Sequence, residues 1–190
     1  MAVEALKAQL FPVSFGFKAG MNLANFGGDT RSDAKLKYQF GTVVQANLPA
    51  GFYVVSGVEY TAKGAKARAE NGTMTSFSPH YLQVPVRLGY EVGVLPEVNL
   101  QFSAGPYFAY GIAGKAKIEG EKISMFGEDG LNYDRQDFGV GVGVGVEFLR
   151  IATVTLGCDF GLKDISRREG AYTIGKVRNQ NAYLTVGVKF

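Results

Sequence analysis

The sequence predicts an all-β fold, an eight-stranded antiparallel up-and-down transmembrane β-barrel. Three observations carry that prediction. Eight stretches alternate apolar with non-apolar residues over about ten positions, the length at which a tilted strand crosses a hydrocarbon layer. The apolar set of each stretch carries no charge. The links between stretches alternate long and short, so an up-and-down barrel collects every long loop at one end and every tight turn at the other.

The first strand is expected from about Val13 to Leu23, with Phe15, Phe17, Ala19, Met21 and Leu23 on one face. The second covers about Lys37 to Leu48 and closes through the turn residues Pro49-Ala50-Gly51 onto a third, Phe52 to Lys63. A polar loop of about fifteen residues then leads to strand four, which begins near Tyr81. Pro85 inside that strand has no N–H for a ladder bond, so a local bulge is expected there. Strand five runs from Val98 to Gly111, and the longest loop, about Ala113 to Asp134, follows it. Strand six, Asp137 to Phe148, alternates Val and Phe with Gly almost without interruption. Strand seven spans Thr153 to Leu162, a basic loop follows, and strand eight ends the chain at Phe190.

Alternation alone does not say which face is outside, since a soluble barrel points its apolar face inward. Here the non-apolar face is rich in Gly, Gln, Asn, Ser and Thr. A water-exposed sheet face has no use for so much glycine, whereas a narrow lumen needs small residues beside a few long ones. The apolar face carries aromatics near strand ends, among them Phe15, Tyr38, Tyr60, Tyr90, Tyr110, Phe148 and Phe190, in the manner of two interfacial girdles. The apolar face is therefore assigned to lipid.

Composition removes several classes. A net charge of +3 gives no argument for nucleic acid. A single cysteine, Cys158, and a single histidine, His80, exclude a disulfide framework and a Cys/His metal centre, and no cofactor is expected. Residues 1–12 read as a periplasmic extension or an artificial remnant, with the export signal expected to have been removed. Residues 13–190 form the barrel.

Eight strands leave an interior just wide enough for side chains. The inward positions hold Lys18, Glu59, Lys63, Arg87, Glu91, Asp137, Glu147, Asp159 and Lys189. Buried charges require partners, so a lumen charge network of Lys18, Glu59, Arg87, Glu91, Asp137, Glu147 and Asp159 is expected. Glu59 is expected to pair with Arg87, with Asp137 or Asp159 completing the set. The basic residues Lys66, Arg68, Arg167 and Arg168 are candidate anion contacts on the long loops, suited to phosphates of lipopolysaccharide or another anionic surface.

Two motifs are weaker. Ser76-Phe77-Ser78-Pro79-His80 puts hydroxyls beside the histidine, but a hydrolase also needs an orienting carboxylate and an oxyanion hole. No catalytic residue is assigned; an outer-membrane lipid hydrolase using His80 stands as an alternative, as does a lipocalin-like carrier of apolar ligands. The Gly139-Val140-Gly141-Val142-Gly143 run is strand pleat and no phosphate loop, because its period of two continues through Gly145.

Several segments resemble the PorT-like family of small outer membrane β-barrels of Bacteroidota, eight-stranded barrels of the OmpX/OmpA kind. They are Gly16-Phe17-Lys18-Ala19-Gly20-Met21-Asn22, Gly57-Val58-Glu59-Tyr60-Thr61-Ala62-Lys63-Gly64, Tyr81-Leu82-Gln83-Val84-Pro85-Val86, Ala104-Gly105-Pro106-Tyr107 and Asp137-Phe138-Gly139. The resemblance covers about Phe15 to Phe190. It implies an exported barrel in the outer membrane, both termini in the periplasm, and no single activity. The expectation is a non-enzymatic, monomeric barrel with four long extracellular loops, serving surface contact or an accessory role in the envelope or in secretion. Its partners would be outer membrane lipid and lipopolysaccharide, with other envelope or secretion proteins as candidates.

Overall fold

A strand whose alternate residues differ in polarity can satisfy its backbone and still bury one face only in a sheet, and a closed sheet leaves no edge. The computed structural model describes residues 12–28, 32–68, 74–118, 121–126, 133–165 and 177–190, and its described residues close such a sheet. In chain order the strands are β1 (Val13–Gly28), β2 (Ser32–Asn47), β3 (Phe52–Ser56), β4 (Glu59–Ala62), β5 (Ala65–Arg68), β6 (Met74–Leu95) and β7 (Val98–Ile118). They continue as β8 (Glu121–Ser124), β9 (Gln136–Phe148), β10 (Ala152–Gly161) and β11 (Val177–Lys189). All pairings are antiparallel, and β1 pairs with both β2 and β11, which closes the ring. The pieces β3, β4 and β5 lie end to end between β2 and β6 as one wall. The ring thus has eight walls, and β8 is a flap paired with the top of β7.

The walls are staggered. The row that leaves β1 at Phe15 passes Val44, Ser56 and Val86, then Pro106, Val140, Phe160 and Gln180, and returns to β1 at Asn25. That shear tilts the strands and fixes which inward residues share a level.

The apolar residues face outward on every wall. Leu36, Leu156 and Val186 are each about 60% exposed, and the outward aromatics from Phe15 to Phe190 lie on the same surface. The alternate positions are buried, as in β9, where Gly, Asp137 and Glu147 point in and Val and Phe point out. This orientation is the reverse of a lipocalin-like barrel.

Three expectations are corrected. Pro85 causes no bulge: it pairs in register with Tyr107, and its carbonyl accepts a hydrogen bond from Ser56 Oγ at 2.7 Å. The interruption falls on the neighbouring wall at Gly57–Val58, between β3 and β4, opposite the proline that has no N–H to offer. Strand four begins at Met74 and not near Tyr81, and strand five extends to Ile118. Part of each supposed loop is therefore strand, hidden because Ser76, Ser78 and His80 break the apolar alternation while the backbone goes on pairing with β7. The extra residue in the long pair sits nearer the mouth than Pro85, where the register of β6 against β7 shifts between His80 and Tyr81.

The tight turns all lie at the other end. Leu149 and Arg150 both adopt positive φ, 53° and 59°, the twist a two-residue hairpin turn needs.

Candidate functional site

Long inward side chains need somewhere to lie, and glycine on the adjacent wall provides it. Lys18, Gly41 and Glu59 form one row across β1, β2 and β4. With no side chain at Gly41, Lys18 Nζ reaches Glu59 Oε1 at 2.6 Å. Gly105 and Gly141 are paired, and Gly141 faces Asp159, so two glycines separate the Arg87 backbone from that carboxylate. Arg87 crosses them and its Nη2 meets Asp159 Oδ1 at 2.6 Å. A Cβ at Gly141 would fall 2.7 Å from that guanidinium nitrogen.

Two more pairs complete a ladder of four among the described residues. Lys63 Nζ lies 3.4 Å from Asp137 Oδ2 and over the rings of Tyr107 and Tyr81, at 4.8 and 5.2 Å. Lys189 pairs with Glu147 and donates to Gln45 Oε1 at 2.9 Å. Neutral donors also reach these carboxylates: Gln83 Nε2 to Asp159 Oδ2 at 3.1 Å, Asn179 Nδ2 to Asp137 Oδ2 at 2.8 Å, and Gln101 Nε2 to Glu147 Oε2 at 2.8 Å. Tyr183 lies over Gly157, where its hydroxyl hydrogen-bonds Arg87 Nη1. Tyr53 lies over Gly89. Equal numbers of cations and anions meet in a low-dielectric space, which is how buried charge is tolerated.

Of the seven residues expected in the network, six enter these pairs. Glu91 is half-buried and contacts Gln101 Nε2 at 3.4 Å. The expected Glu59–Arg87 pair is not formed: the staggered rows put Lys18 level with Glu59 and Asp159 level with Arg87. Lys63 and Lys189, counted as inward from the sequence but left out of the network, supply its other two cations. Below Arg87 a polar cavity of about 60 Å³ remains, lined by residues such as Lys18, Gln45, Tyr53, Gln101, Thr155 and Lys189. It has room for about four water molecules.

The mouth is closed differently. Phe77, Tyr81, Tyr107, Ala109, Ala116, Met125, Phe126 and Ile165 form one buried apolar cluster. Phe126 enters over Gly111 and Gly114, and Arg135 covers its ring at 5.1 Å while donating to the Gly111 carbonyl at 3.0 Å. Backbone bonds from Asp134 N to Ile165 O and from Tyr133 N to Met125 O tie the segments together, and Lys163 pairs with Asp134 at 2.8 Å. Burial, with the Asp164 carboxylate nearby, raises the Tyr133 phenol above its ordinary pKa.

His80 faces outward, away from the lumen. Its Nδ1 lies 2.7 Å from Tyr60 Oη, so the histidine's partner is a phenol and not a carboxylate. The backbones of Lys66 and Arg68 lie in β5; their side chains, like Arg167 and Arg168 entirely and residues 1–11, fall outside the described residues.

The profile of the outer membrane protein beta-barrel domain family matches residues 7–167. No curated protein matches the sequence. Among solved structures, a major outer membrane protein from Thermus thermophilus aligns over 94% of this chain and all of its own, at 15% identity and a TM-score of 0.56. Neisserial surface protein A (NspA) aligns over 94% of this chain and 97% of its own, at 14% identity and a TM-score of 0.50. Both show the same fold. The chain belongs to the outer membrane protein beta-barrel domain family, and it resides in the bacterial outer membrane.

Proposed function

We propose that this outer membrane barrel is a non-enzymatic surface protein that works through the extracellular ends of its walls, in surface contact or as an accessory to the envelope or to secretion. The observation that carries the reading is the filled interior. Four ion pairs and the tyrosines over glycine occupy the lumen, and an apolar cluster stops its mouth, which favours work on the outside over conduction through the middle. The walls β6 and β7, at 22 and 21 residues, are about twice as long as a hydrocarbon crossing needs, so they carry a rigid platform outward. The phenol partner of His80 favours a structural histidine over a catalytic one. We further propose a place in the PorT-like branch of Bacteroidota. In its support, the Tyr81-Leu82-Gln83-Val84-Pro85-Val86 segment joins the Asp159 network through Gln83 and faces the wall break through Pro85.

Lys66, Arg68, Arg167 and Arg168 are assigned to an anionic surface outside the cell. The test is retention of folded protein on a dextran sulfate column. Replacing all four with Gln is expected to move elution to clearly lower salt. Unchanged retention would remove the anion-contact assignment, and measurable single-channel currents through the wild-type protein would remove the closed-lumen argument.

A further inference from the structure

We propose that the outer face of the β7–β8 flap is a contact surface for the phosphates of neighbouring lipopolysaccharide, with Lys115, Lys117 and Lys122 as its cations. This surface is independent of the loop residues assigned above.

The patch follows from register. Alternation in β7 sends Ala116 into the apolar cluster of the mouth and leaves Lys115 and Lys117 exposed on the outer face. Ala116 pairs with Ile123, so Ile123 shares the inner face, and Lys122 and Ser124 come out beside Lys117 and Lys115. Lys117 and Lys122 are direct cross-strand partners, with Cβ atoms about 5 Å apart. Lys115 stands two residues before Lys117 on the same face, about 7 Å along the strand.

Like charges directly opposite one another destabilise a sheet. No carboxylate of the described residues lies within ion-pair distance of any of the three lysines. Glu121, next to Lys122 in the chain, pairs with Ile118 and so belongs to the opposite face. The ribbon is held from that opposite side: Met125 N donates to the Gly114 carbonyl at 3.0 Å, and Met125 and Phe126 are packed in the cluster. The fold therefore keeps three exposed cations together on a fixed surface. An anion lying against them relieves the repulsion, and phosphate oxygens accept from several ammonium groups at once.

Position selects the source of the phosphate. The outward residues of β7 are apolar through Phe102, Ala104, Pro106, Phe108, Tyr110 and Ile112, and the first lysine stands at Lys115. Three residues of a tilted strand span about 10 Å, which puts Lys115 at the depth of the headgroup layer beyond the hydrocarbon. From there the lysines project sideways from the wall, toward surrounding lipid. The tight turns mark the periplasmic end, so this is the outer leaflet, whose phosphorylated lipid is lipopolysaccharide.

The test places the full chain in phosphatidylcholine nanodiscs and titrates diphosphorylated lipid A, lipid A stripped of phosphate, or phosphatidylglycerol, with binding read by native mass spectrometry. Diphosphorylated lipid A is expected to bind the wild type at least about tenfold more tightly than the K115Q/K117Q/K122Q variant, and more tightly than either other lipid. K115R/K117R/K122R, which keeps the charges, is expected to retain the affinity. The glutamine variant is expected to resist protease at the mouth at least as well as the wild type, because it removes repulsion. Heat-dependent migration on gels confirms that each variant is folded. Equal affinity of wild type and glutamine variant, or of phosphorylated and stripped lipid A, would overturn the site. Lost binding together with faster proteolysis would overturn it as well, by showing that the lysines hold the flap in place. Equal binding of phosphatidylglycerol would overturn the assignment to lipopolysaccharide.

Discussion

The body of the barrel and its mouth close the same lumen by opposite means. In the body, Arg87, Lys18, Lys63 and Lys189 lie across glycine rows and meet Asp159, Glu59, Asp137 and Glu147. At the mouth, Phe126, Met125 and Ile165 arrive from segments outside the wall and close over Phe77 and Tyr81 by apolar contact. The body is directional and intolerant of a missing partner, because an unpaired charge in a dry interior has no substitute for water. The mouth borders water, so its packing can open without tearing the sheet. One region is held by register and the other by surface burial.

The sharpest way to break the body is to leave one ion unpaired. Arg87→Ala strands Asp159 and is expected to cost about 3–5 kcal/mol in urea unfolding from detergent or bilayer, whereas the paired change Arg87→Met with Asp159→Leu should cost far less. Equal cost for the single and paired changes would show that packing and not charge pairing holds the body. Phe126→Ala is the matching change at the mouth, where a buried Phe loses about 3 kcal/mol of packing. It is expected to speed protease cleavage at the mouth severalfold while leaving the unfolding midpoint of the barrel close to wild type; a large fall in that midpoint would erase the distinction between the two regions. Gly141→Val should cost about 1–3 kcal/mol by pushing the Arg87 guanidinium off Asp159, where the same substitution on the outer face would be neutral. The smallest effect belongs to Lys163→Gln, whose half-exposed pair with Asp134 is worth at most about 1 kcal/mol and should weaken further in salt.

The two regions also differ in how far they can be read from residues. Alternation in stretches such as Asp137–Phe148 places each side chain on one face or the other, and the structure keeps those faces on all eight walls. The upper parts of β6 and β7 escaped because Ser76, Ser78, His80 and Lys115 offer no apolar rhythm there, while hydrogen bonding to the neighbouring wall needs none. Met125 and Ile165 gave no strand signal: Met125 sits beside Phe126 just after the short Glu121–Ser124 strand, Ile165 stands between Asp164 and Ser166, and only the open end of the barrel makes them a stopper. The contacts of Lys35 and Lys37 with Ser76 and Ser78 join β2 to β6 across Gly64, and no pattern in the chain announces them.

Sequence by itself determined which residues meet lipid, which enter the lumen, and which end of the barrel carries the tight turns. These depend on local period and turn chemistry, which a chain expresses without reference to distant parts of itself. Only the tertiary structure decided which charge meets which. Lys18 found Glu59, and Arg87 found Asp159, because closing the sheet with a stagger slides each wall against the next. That displacement is a property of the whole ring, since the register of every pair of walls adds to it, and no single strand contains it.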